Sequence, residues 1–252
     1  MTNKQIGIID ESGDSVGSDL KNKNFTRKAI LLKYCLDHLE EYKADLDFGL
    51  VKCFLKSASG GCFEDEEIIQ YSIDVFDREN LFELIDSFDY TFIYFSGHSY
   101  YHNRKIQIPL KYDEFITESE FIRTGKKQWI FMDCCRTNKP AKNSTEFNFT
   151  RTENFFPKAT QLSKEKWENT ISQMDPFYLM YYVTKLNDFA FNNLHGGYGT
   201  QNFFISLMYK LLLNRAFSFK QFVKEINNPK FAIQQSSFVQ GNLDLKRFST
   251  LF

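Results

Sequence analysis

Two short apolar runs constrain this chain more than anything else in it. The first is Tyr90-Thr91-Phe92-Ile93-Tyr94-Phe95, followed by Ser96-Gly97-His98. The second is Trp129-Ile130-Phe131-Met132, followed by Asp133-Cys134-Cys135-Arg136. Continuous apolar runs of this length fit strands buried on both faces. Each run stops abruptly at reactive residues, a histidine in one case and a cysteine in the other. If the two strands lie side by side and parallel, His98 and Cys135 emerge at the same sheet edge. That is the placement a thiol nucleophile and its base require.

The rest of the chain alternates between the two periods. Gln5 to Ile9 reads as a first strand that opens into the acidic loop Asp10-Glu11-Ser12-Gly13-Asp14. Phe25 to Tyr42 has helical spacing at Ala29, Leu32, Leu36 and Leu39, and Phe48 to Leu55 alternates as a strand would. A short helix is expected over Glu64 to Tyr71, a helix over Asp77 to Ser87, a strand over Ile106 to Leu110 and a largely helical Tyr112 to Thr124. Leu179 to Phe189 fits either a strand or a helix. Further helices are expected over Thr200 to Phe217 and Phe219 to Asn227, after a loop at Asn192 to Gly199. Residues 138–163 are polar and aperiodic and read as a long exposed loop or linker within one domain spanning 1–252. Strands alternating with helices indicate an α/β fold with a mainly parallel sheet, whose ligands bind beyond the carboxyl ends of the strands.

Composition narrows the function. At 252 residues and a net charge of −1, the chain can bury a large core and gives no bulk electrostatic case for nucleic acid or a membrane surface. No apolar stretch reaches the roughly 18 residues of a membrane span, and the N-terminus lacks a signal-peptide pattern. Cys35, Cys53, Cys62, Cys134 and Cys135 are odd in number and fit no disulfide framework, which points to a reducing, cytoplasmic compartment. There is no C-x-x-C pair for zinc, and the acidic loop after the first strand lacks the calcium-loop ligand pattern. His102 lies in a polar loop and His195 in a glycine-rich one, so neither rivals His98 as the base.

The motifs themselves carry a resemblance. Tyr94-Phe95-Ser96-Gly97-His98 resembles the apolar strand and Ser-Gly-His-Gly of the caspase-like cysteine peptidases, the p20-type domain of caspases, metacaspases and their bacterial relatives. Phe131-Met132-Asp133-Cys134-Cys135-Arg136 resembles that family's apolar strand and Asp-Ala-Cys-Arg. Cys135 follows His98 by 37 positions, close to the family's separation. The resemblance implies a three-layer α/β/α sandwich around a mostly parallel sheet. It implies a cysteine endopeptidase with His98 as general base, Cys135 as nucleophile and the backbone N–H groups of Ser99 and Cys135 as oxyanion donors. It implies no cofactor, a protein substrate, and control by an activating protein or a small signalling ligand. Small bacterial members act in antiviral defence or cell suicide.

Two departures from the family pattern matter. Ser99 stands where the family has glycine after the histidine. An acidic loop follows the first strand where caspases carry an arginine for an acidic P1 side chain. The family's P1 pocket is lined by the residue two before the nucleophile, here Asp133, as in the metacaspases. With Asp10 or Glu11 as a second carboxylate, this implies cleavage after a basic residue through a charge-assisted hydrogen bond. A catalytically silent binding or sensor module on the same fold stays open.

Overall fold

Ala29-Ile30-Leu31-Leu32 is an unbroken apolar tetrad, and all four side chains are fully buried. Only a strand covered on both faces can hide consecutive side chains, because neighbours along it point to opposite sides. The tetrad lies in β1 (Arg27–Tyr34). In the computed structural model, residues 25–103, 105–136, 156–184, 190, 192–193, 196–212, 219–227 and 238–241 are described.

After β1 come α1 (His38–Leu55), β2 (Ile68–Ser72), α2 (Arg78–Asp86) and β3 (Tyr90–Gly97). Three short strands follow, β4 (Tyr100–His102), β5 (Lys105–Pro109) and β6 (Phe115–Thr117), then β7 (Lys127–Cys134). The C-terminal part holds α3 (Gln161–Ser172), β8 (Phe177–Tyr182), the hairpin β9 (Asn192–Asn193) and β10 (Gly196–Gly197), α4 (Tyr198–Leu212), α5 (Phe219–Ile226) and β11 (Phe238–Gly241). The main sheet has the order β11-β8-β7-β3-β1-β2. Its pairings are parallel except for that of β11 with β8.

Alternate side chains of these strands feed two separate cores. On one face Leu31, Phe92 and Phe131 pack with Val51 and Phe54 of α1, Trp167 of α3 and Phe203 of α4. On the other, Ile30, Ile93 and Met132 pack with Leu81 and Ile85 of α2 and with Ile106 and Ile116 of the small sheet. The chain is therefore a three-layer α/β/α sandwich with a mostly parallel central sheet. Phe131 sits at the centre of the first core, stacked on Tyr181 at 4.7 Å and on Phe204 at 5.3 Å. Truncating such a ring to alanine costs about 3–5 kcal/mol.

The structure corrects several local expectations. Phe25 to Tyr42 is not one helix, since β1 occupies most of it and α1 begins at His38. Phe48 to Leu55 is helical, not a strand. Its apolar residues Phe48, Val51, Phe54 and Leu55 follow the three-and-four spacing of a helix and all face the core. Glu64 to Tyr71 is a single 3₁₀ turn leading into β2, and Tyr112 to Thr124 holds β6 between two 3₁₀ turns. Leu179 to Tyr182 is strand. Of the stretch 138–163, residues 138–155 lie outside the described residues. Beyond them Phe156 packs on Phe54 at 5.5 Å, and Thr160 caps α3 by accepting from the Ser163 N–H. The proposed strand Gln5–Ile9 also lies outside the described residues.

Candidate active site

The register of three central strands sets the geometry. Tyr34 of β1 pairs with Gly97 of β3, and Gly97 pairs with Cys134 of β7. His98 and Cys135 are each the next residue beyond this row. Neighbouring strands are about 4.8 Å apart, so the two residues leave the sheet side by side. Gly97 makes the exit possible. Its φ is +141°, and a Cβ there would run into the backbone of Tyr34. The close approach lets the His98 N–H donate to the Tyr34 carbonyl at 3.0 Å.

The two adjacent thiols differ sharply. Cys134 is 1% exposed and packs in the second core, where burial pushes its thiol far above the ordinary range. A thiol held neutral in apolar surroundings is inert. Cys135 is half-buried, with its sulfur 3.9 Å from the Ala190 carbonyl. The Ser99 hydroxyl donates to the Cys135 carbonyl at 2.7 Å, tying the two strand ends together. A glycine at this position would have no side chain to make this bond.

His98 meets a partner from α1. Its Nε2 lies 2.7 Å from Oε1 of Glu40, in the first turn of that helix. Glu40 is itself fixed at two points. Its Oε2 accepts the Leu36 N–H at 2.8 Å, and its own N–H donates to the Asp37 side chain at 2.8 Å. This is the reciprocal pattern of a helix N-terminal capping box, with the Leu36 N–H as donor to Glu40 in place of that of the cap residue Asp37.

Set against solved structures, the chain is similar to caspase-1 from Spodoptera frugiperda, at 11% identity over 86% of each chain with a TM-score of 0.48. It is similar to a structural-genomics target from Geobacter sulfurreducens, at 14% identity over 86% of this chain and 93% of that one, with a TM-score of 0.49. It is also similar to the Drosophila initiator caspase Dronc, at 11% identity over 96% and 94%, with a TM-score of 0.48. No family model matches the chain, and no curated protein matches it in sequence. The fold class stated above rests on the strand order and the two packed faces.

Asp133, the last residue but one of β7, is 4% exposed and faces a second buried acid, Asp47 of α1, which is 2% exposed. Thr200, near the start of α4, donates to Asp133 through its hydroxyl and, at 3.3 Å, through its N–H. Tyr94 lies 2.7 Å from the same hydroxyl. The Gly197 N–H donates to both oxygens of Asp47, at 2.9 and 2.8 Å, and the Ser96 hydroxyl stands 3.5 Å from one of them. A Cβ on Gly197 would collide with Asp133, so glycine is required for the close approach. Burial pushes Asp133 up to about 6, and burial plus the charge of Asp133 pushes Asp47 well above the usual carboxylate range. Burial and the like charge of the partner thus oppose ionisation of both acids at once.

The remaining candidates fall outside this cluster. Asp10, Glu11 and His195 lie outside the described residues. His102 is exposed on β4. Arg136 is buried, stacks over Tyr182 at 4.0 Å and donates to the Thr184 carbonyl at 3.3 Å, so its side chain points into the protein rather than toward a substrate. Among the described residues, no helix is long and apolar enough to cross a membrane.

Neither Glu40 nor Asp47 stands out in the sequence. The signal for Glu40 was Asp37-His38-Leu39-Glu40 after an apolar run, the D-x-x-E pattern of a helix start. Reading one helix across Phe25 to Tyr42 hid it. Asp47 had no signal of its own, because an acid in an amphipathic helix reads as solvated until its neighbours are known.

Proposed function

We propose that the chain is a cysteine endopeptidase that cleaves after basic residues and acts in proteolytic signalling. The observation that carries the reading is the Tyr34–Gly97–Cys134 register, which sets His98 beside Cys135 at the carboxyl edge of the sheet. In this reading the Cys135 sulfur, deprotonated by His98, attacks the scissile carbonyl carbon. The C–N bond breaks, the amine leaves with the proton from His98, and a thioester remains. Water, deprotonated by His98, then releases the acid and the thiol. The N–H groups of Ser99 and Cys135 hold the oxyanion. The chemistry needs no cofactor.

The specificity part of the reading rests on Asp133, two residues before the nucleophile. It is buried beside a second acid, Asp47, and an acidic environment on that side of the site favours a cationic P1 side chain. A fluorogenic peptide panel with P1 Arg, Lys, Asp and Leu tests both claims. Arg and Lys peptides are cut, Cys135→Ala and His98→Ala each lower the rate by at least about 10³-fold, and Cys134→Ala leaves it within about twofold. Faster cleavage after Asp than after Arg would refute the P1 assignment. Activity surviving Cys135→Ala but lost in Cys134→Ala would refute the nucleophile.

A further inference from the structure

We infer that Glu40 is a positioning residue that completes a Cys135–His98–Glu40 relay, with the helix cap of α1 as its mount. The inference rests on the peptidase reading above and adds a residue to it. Three observations support it. The Glu40 carboxylate and the His98 Nε2 are 2.7 Å apart, within charge-assisted hydrogen-bond range. The carboxylate is aimed by the protein rather than by His98, since its other oxygen is already held by the Leu36 N–H. The helix start that carries it is pinned in turn by Asp37 accepting the Glu40 N–H.

The chemical consequence follows from the imidazole. A carboxylate has no proton to give at neutral pH, so Nε2 carries the hydrogen and donates it to Glu40. Nδ1 then holds the lone pair and is the nitrogen left to take the thiol proton. When it does so, the S–H bond breaks, an Nδ1–H bond forms, and the imidazolium is stabilised by the carboxylate behind it. Glu40 touches neither substrate nor reacting atoms. It acts through His98, by fixing the tautomer, the ring orientation and the charge.

Glu41, the next acid along, belongs elsewhere. It pairs with Lys33 at 3.1 Å and His38 at 3.5 Å, and Lys33 also binds Asp45 at 2.7 Å. These groups pair among themselves, which leaves Glu40 as the helix's contribution to the histidine.

The test is the alkylation rate of Cys135 by iodoacetamide, read on its own peptide by mass spectrometry from pH 5 to 9. It is measured in the wild type, Glu40→Gln, Glu40→Ala and His98→Ala. Glutamine keeps an acceptor for the Leu36 N–H, so its melting curve controls for folding. In the wild type, Cys135 reacts faster than the other four thiols at pH 7, and His98→Ala removes the excess. Glu40→Gln slows Cys135 at pH 7 about tenfold and moves the rise of its pH profile upward by about one pH unit, with KM for an Arg peptide unchanged and kcat reduced. Glu40→Ala does the same or more. A reactive, His98-dependent Cys135 whose rate and pH profile are indifferent to both Glu40 changes would overturn the inference and leave the peptidase reading standing. A wild-type Cys135 no more reactive than an ordinary thiol would overturn the peptidase reading itself, and the relay with it.

Discussion

Glu40 and Asp47 lie seven residues apart on α1, two turns along the same helix face. One helix thus carries two acids to the carboxyl edge of the sheet, and their surroundings assign them opposite chemistry. Glu40 is partly exposed and faces a group that can become a cation. Asp47 is buried and faces another acid. The second has its charge opposed by burial and a like partner. An acid's role here is decided by depth and partner, not by its position in a motif.

The contrast can be broken most forcefully by truncating each acid. Asp47→Ala leaves the buried Gly197 N–H without its acceptor and is expected to cost about 2–3 kcal/mol. Glu40→Ala removes a partly solvated pair and is expected to cost less than about 1 kcal/mol, while depressing activity. Urea denaturation of both variants at pH 7 measures the difference. Equal costs would mean that depth does not separate the two sites.

A second test uses pH. In the unfolded chain Asp133 titrates near 3.9, as aspartate ordinarily does, and in the fold near 6. The fold therefore binds extra protons between these values. The stability contributed by this acid is present below about pH 4 and lost as pH rises through about 6. At about 1.4 kcal/mol for each pH unit, the loss across this interval of roughly two units is on the order of 3 kcal/mol. Asp133→Asn removes the titration, so its stability should change less between pH 5 and pH 8 than that of the wild type. An unchanged slope would place the pH sensitivity elsewhere.

The smallest expected effect is the response to salt. Raising ionic strength from about 0.05 to 0.5 M shortens the screening length below the reach of exposed pairs. Cys135 alkylation, which depends on the partly exposed Glu40–His98 contact, should slow two- to threefold. The pH slope set by the buried Asp47–Asp133 pair should not move. A salt effect on both would show that water reaches the pair.

The two central strands of the main sheet, β3 and β7, were legible in the sequence, and the helix that serves the site was not. The runs at Tyr90–Gly97 and Lys127–Cys134 announce themselves because consecutive apolar residues leave few alternatives to a strand covered on both sides. Ala29 to Leu32 carries the same signature, but Leu36 and Leu39 happen to continue it at helical spacing. Those two side chains are exposed in the fold and contribute nothing to the core. The false period displaced the start of α1 and turned its second half into a supposed strand. With α1 misplaced, its two acids could not be brought to the sheet edge. A second carboxylate was sought instead in Asp10, beyond a strand that the described residues do not include. The hairpin at Gly196–Gly197 read only as a loop, because what demands glycine there is two acids from distant parts of the chain.

Helix α1 is 18 residues long, which makes it a rod of about 27 Å. Near its C-terminal end Phe54 is wedged against Trp129 at 5.9 Å and Phe204 at 5.1 Å, while its N-terminal end aims Glu40. A rod of that length pivoting by about 2° moves its far tip by about 1 Å, enough to open the Glu40–His98 contact. The aromatic cluster at the distal end thus acts as the bearing of a lever. In the proposed relay, substitutions that loosen it are expected to slow the alkylation of Cys135, far from where they occur.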